Sequence, residues 1–140
     1  MDKPAMAAQP PVAEGVKTRP SPFTVDETLE RLRQVIAGRN LMLFAHVDHG
    51  GEAARVGLEM PETHVLIFGN PKGGTPMMLA APLLALDLPL KLLVWQDRAQ
   101  QVWVSTNSAA YLAGRYGLAP ELAGNLAVVE AVIEQALSRA

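Results

Sequence analysis

A chain of 140 residues, 49% hydrophobic and 19% charged, has ordinary globular composition and the length of one domain that can bury a core without cross-links. It contains no cysteine, which excludes disulfides, thiolate metal sites and a cysteine nucleophile. The formal net charge is −2 with no basic stripe, no apolar run reaches the ~18 residues of a membrane span, and no basic-then-apolar leader is visible; the expectation is a soluble cytoplasmic protein with neither nucleic-acid nor membrane partners.

Met1 to Val12 is rich in Ala and Pro without periodicity, so residues 1–13 are expected to be a disordered tail and 14–140 a single domain. Glu14–Arg19 reads as a short first strand, ended by Pro20 and Pro22. Thr24 and Glu27 form a capping box behind Phe23, and Val25, Leu29, Leu32, Val35 and Ile36 give the helix that follows a core face. Gly38 is the expected left-handed residue beyond its end. Asn40–Asp48 alternates as a strand, with Leu41, Leu43, Ala45 and Val47 on one face and Met42, Phe44, His46 and Asp48 on the other. Gly50–Gly51 is expected to break it, and Ala53–Gly57 to form a helical turn.

Val65–Phe68 is a continuous apolar run, the pattern of a strand buried on both faces and flanked by neighbours on both sides. Gly69–Gly74 reads as a breaker, and Thr75–Pro76 as a helix start limited by Pro82. Leu88–Pro89 makes a second bend. Lys91–Gln96 and Gln101–Ser105 read as a hairpin closed by Asp97–Gln100. Ser108–Tyr116 is predicted helical with Gly117 beyond it. A last helix begins at Ala119–Pro120–Glu121, with an apolar stripe from Leu122 to Leu137. Most strands follow one another without a full crossover helix. The order β-α-β(4)-α, with short helical insertions, therefore favours an α+β fold: an antiparallel β-sheet with helices packed on one face.

Val47–Asp48–His49, Leu66–Ile67–Phe68–Gly69–Asn70–Pro71, Gly74–Thr75–Pro76–Met77–Met78, Asp87–Leu88–Pro89–Leu90–Lys91 and Leu93–Val94–Trp95 together resemble the domain-of-unknown-function 302 family, over about Val16 to Tyr116. The resemblance implies a sandwich of the TATA-binding-protein-like kind, without implying DNA binding, and supplies no mechanism. Departures from that pattern include His46, where relatives usually carry Arg, Gln96 in place of Glu, Ala99 or Gln100 where a turn glycine is usual, and Tyr116 in place of His.

Two constellations carry possible chemistry. His46, Asp48 and His49, with His64, are residue types that hold zinc or iron or work as an acid–base pair, but their spacing matches no known signature. The plainer alternative is Asp48 capping a turn, and no metal ligand, cofactor or catalytic residue is assigned. The Gly69–Thr75 bend offers Asn70, Lys72, the amides of Gly73 and Gly74 and the Thr75 hydroxyl. It is neither a Walker loop nor a dinucleotide fingerprint. The expected function is binding of a small molecule, anions included, by Asp48, His49, Asn70, Lys72, Gly73, Gly74 and Thr75, in one pocket formed if both bends meet at one sheet edge. The alternatives are a hydrolase or lyase using the same site, with or without a metal, and a structural or interaction protein. Trp95 and Trp103 on the hairpin, with exposed strand edges, add the expectation of a homodimer.

Overall fold

A computed structural model of the chain describes residues 9–139. The first eight residues of the expected tail lie outside the described residues. Strands β1 (Val16–Ser21), β2 (Met42–Asp48), β3 (Thr63–Gly69), β4 (Leu90–Gln96) and β5 (Val102–Asn107) form one sheet in the order β1-β5-β4-β3-β2. Every neighbouring pair is antiparallel. The helices are α1 (Val25–Gly38), α2 (His49–Arg55), α3 (Pro71–Ala80), α4 (Ala109–Arg115), α5 (Pro120–Ala123) and α6 (Val128–Leu137), with a 3₁₀ segment at Pro82–Asp87. The α+β class with an antiparallel sheet is therefore as the strand succession requires. β3 lies between β2 and β4, as its unbroken apolar run demands.

Directly opposed residues share a sheet face, so the register sorts the side chains. Leu66, Phe68, Leu90, Leu92, Val94, Val102 and Val104 are buried on the face covered by α1 and α6. Their partners across the core are Leu29, Leu32 and Ile36 of α1 and Val129, Val132, Ile133 and Ala136 of α6. Arg31 joins the two helices, donating from Nε to the Ala136 carbonyl at 2.7 Å. The alternate residues Val65, Ile67, Leu93 and Trp95 are only half-buried on the opposite face.

Four local expectations are corrected. Gly38 stays inside α1, and the left-handed position falls to Asn40 at φ 60°, a residue type that tolerates it. β2 ends at Asp48, just before Gly50 and Gly51, but these glycines form no loop. They lie in α2, because Asp48 caps that helix by accepting the Gly51 amide at 2.8 Å. In β2 strict alternation fails at a bulge between Leu43 and Ala45. The extra residue, Phe44, places Leu43 opposite Phe68 on the face of His46 and Asp48, while Ala45 and Val47 lie opposite Ile67 and Val65 on the other. The last helix is split, with a turn between α5 and α6.

The β4–β5 turn shows how one side chain can replace a glycine. Gln100 takes φ 73°, and the Asp97 carboxylate accepts the amides of Ala99 at 2.8 Å and Gln101 at 2.9 Å and the Trp103 indole N–H at 2.9 Å. The Trp103 bond, reinforced by the two amides, lowers the Asp97 carboxyl below its ordinary value. A depressed carboxylate contributes stability above the unfolded pKa and loses it as pH falls through the folded one. Urea midpoints should therefore show wild type more stable than Asp97→Asn near neutrality, with the gap closing as pH falls below 3.8. A gap that stays constant down to about pH 2 would contradict this assignment.

Candidate functional site

The antiparallel pairing of β2 with β3 separates the two halves of the expected pocket. Asp48 stands opposite His64 at one end, and Met42 opposite Gly69 at the other. That puts the Asp48–His49 turn and the Asn70 bend roughly 20 Å apart along the strands at ~3.4 Å per residue. One pocket shared by Asp48, His49, Asn70 and Lys72 is therefore not formed.

At the first end, inner-face side chains meet in a polar chain. Arg33 of α1 donates from Nη2 to His46 Nδ1; His46 Nε2 lies 2.9 Å from His64 Nδ1; His64 Nε2 lies 2.7 Å from Glu62 Oε1. Asp48 Oδ1 is 3.8 Å from His64 Nδ1. His64 is 6% exposed, whereas Asp48, Glu62 and His46 are open to solvent. The guanidinium can only donate, which assigns the rest: His46 Nδ1 accepts, its Nε2–H donates to His64 Nδ1, and His64 Nε2–H donates to the carboxylate. Burial, then the positive charge of Arg33, then His64, lower the His46 pKa; Asp48 opposes them. His49 sits exposed at the start of α2, outside this chain of bonds. Sequence reasoning missed Arg33 and Glu62. Glu62–His64 and His46–Asp48 are each spaced two apart, a signal of shared strand faces, but only the register sets one pair against the other.

At the second end, the bend is a helix start rather than a loop. Asn70 caps α3 and Pro71 is its first residue, the cap-and-proline signature expected at Thr75–Pro76 but one turn earlier. The Asn70 side chain accepts the Lys72 amide at 2.9 Å, and its carbonyl accepts those of Gly73 and Gly74, each at 2.9 Å. Pro76 lies inside the helix. The amides expected to bind an anion are thus already bonded. Lys72 is exposed. Beside this turn is a mainly apolar cavity of about 360 Å³. Gly69, Asn70, Gly73, Gly74 and Thr75 line it, whereas Asp48, His49 and Lys72 do not. Phe44, Met77, Met78 and Leu88 supply apolar wall, and Asn125 closes the far side, its Nδ2 donating to the Gly73 carbonyl at 3.2 Å.

Comparison with known proteins adds a family, a solved structure and two curated relatives. Residues 17–140 match the family described as "Domain of unknown function DUF302". The fold superposes on the "Crystal structure of uncharacterized conserved protein DUF302 from Bacillus stearothermophilus" with a TM-score of 0.74 and 21% identity, over 89% of this chain and 97% of that one. The chain is 39% identical over 113 residues to "Fluoride-specific ion channel FluC 1" of Brucella suis biovar 1 (strain 1330), covering 78% of this chain and 44% of that protein. The protein of the same name from Brucella abortus biovar 1 (strain 9-941) matches at 39% identity, with 42% of it covered. The chain thus spans less than half the length of these curated relatives.

The hydrogen-bond polarity is directly testable. Nitrogen-15 NMR at about pH 8, where histidine is ordinarily neutral, should show His46 and His64 both protonated on Nε2. A His46 ring protonated on Nδ1 would contradict the Arg33 contact.

Proposed function

Because the chain belongs to the DUF302 family, whose description assigns no activity, we propose its role from its own geometry: it binds a small, mainly apolar molecule in the cavity between the β3–α3 turn and the α5–α6 junction. The observation that carries this reading is the cavity itself. Its volume of about 360 Å³ and apolar wall with a few polar groups are those of small-molecule sites. Asn70, Thr75 and Asn125 supply the polar groups that would orient a ligand. The bonding of the Lys72, Gly73 and Gly74 amides within the helix turn favours a neutral ligand over an anion. A similar segment inside the longer Brucella proteins fits a self-contained binding module carried beside another activity.

Gly74 offers a selective test. A Cβ there would meet Leu88 Cδ1 and Met78 Cε at 3.9 Å each, ordinary contacts at the cavity wall. Gly74→Leu should fill the cavity while raising helix propensity by roughly 0.5–1 kcal/mol. The neutral dye N-phenyl-1-naphthylamine, followed by fluorescence, should bind wild type and bind the variant at least about tenfold more weakly, with thermal stability kept. No dye binding to wild type, or equal binding by a folded variant, would overturn the cavity reading.

A second reading, association of two copies of this chain, is favoured by the outer sheet face. Val47, Val65 and Leu93 stand in one cross-strand row, and Trp95 stacks on Trp103 with centroids 6.3 Å apart. The two free strand edges are poorer candidates. Pro20 interrupts β1, and the bulge at Phe44 interrupts β2. An apolar, two-sided row can match its own copy across a two-fold axis. Sedimentation should then show a dimer that Val65→Glu dissociates; a wild-type monomer at micromolar concentration would remove this reading.

A further inference from the structure

The polar cluster at the other end of the sheet is independent of the cavity, and we propose that Asp48, Glu62 and His64 bind a divalent transition-metal ion. One ligand atom from each of the three lies within 4.8 Å of the others. At metal–ligand bond lengths of roughly 2.0–2.2 Å, donors around a tetrahedral ion stand about 3.3 Å apart. One His64 nitrogen would ligate the ion: Asp48 Oδ1 lies 3.8 Å from Nδ1 and Glu62 Oε1 2.7 Å from Nε2, so the three donors close from within 4.8 Å toward that spacing when the ion binds.

Each donor is held by the fold. His64 is buried in β3 between β2 and β4, so its ring cannot swing into solvent. Asp48 is anchored by accepting the Gly51 amide. The Glu62 backbone is fixed because its carbonyl accepts the Gln96 amide at 3.0 Å. The Asp48 and Glu62 side chains are about half exposed, at 51% and 55%, so an ion has a route in and water can complete its shell. That is the donor count of an open site rather than a closed structural one. Two carboxylates balance a divalent charge, and the imidazole selects a borderline transition ion over the hard, oxygen-seeking calcium. In the ion-free chain the lone pair of His64 Nδ1 accepts from His46 Nε2–H at 2.9 Å, so an ion bound through Nδ1 takes the place of that hydrogen bond.

The full chain should be titrated calorimetrically with zinc chloride and, separately, calcium chloride. Zinc is expected to bind one ion per chain and calcium at least about a hundredfold more weakly. Asp48→Asn keeps a good helix cap, and Glu62→Gln alters a solvent-exposed side chain, so both variants should fold. Each should weaken zinc by about tenfold or more, the scale of losing one ligand, while thermal melts without metal stay near wild type. Cobalt(II) should give visible absorption bands that both variants diminish. No one-to-one zinc binding, equal affinity for calcium, or undiminished zinc affinity in both folded variants would each overturn the proposal.

Discussion

The antiparallel pairing of β2 with β3 is the constraint on which the chemistry of this protein depends. It buries β3 on the inner face through Leu66 and Phe68, and it fixes which loops are neighbours. Because Asp48 pairs with His64 and Met42 with Gly69, the turn after β2 and the turn after β3 lie at opposite ends. One end is polar and gathers imidazoles and carboxylates. The other is apolar and gathers glycine backbone, methionine and leucine. Two chemically distinct places result where a parallel arrangement would have made one.

Capping decides the character of each end. Asn70 accepts one amide through its side chain and two through its carbonyl, so the first turn of α3 has no free donor at Lys72, Gly73 or Gly74. A Cβ at Gly73 or Gly74 would meet Asn125 or Leu88 only at ordinary contact distance, so the absence of side chains there leaves space. Asp48 does the analogous work for α2, yet its carboxylate remains half exposed beside His64. The Arg33–His46–His64–Glu62 chain runs from a cation to an anion with every hydrogen bond pointing one way, which orients both rings.

Local patterning determined much of this protein. The capping box at Thr24–Glu27, the apolar run Val65–Phe68 and the hairpin around Asp97–Gln100 are sequence-near signals, and they specify elements, faces and an antiparallel α+β order, while the stripe from Leu122 to Leu137 specifies a helical face but not the turn that splits it. The family resemblance was legible for the same reason, since its motifs sit at turns and strand ends. From local signals Thr75–Pro76 reads as the cap-and-proline start and Gly69–Gly74 as a breaker, whereas the structure starts the helix at Asn70–Pro71. Only the tertiary structure decided what meets what. A bulge of one residue at Phe44 changes which side chains face the helices, and strand register alone brings Glu62–His64 against His46–Asp48. Neither follows from composition or periodicity, because pairing partners are far apart in sequence and a shift of one residue turns every side chain to the other face.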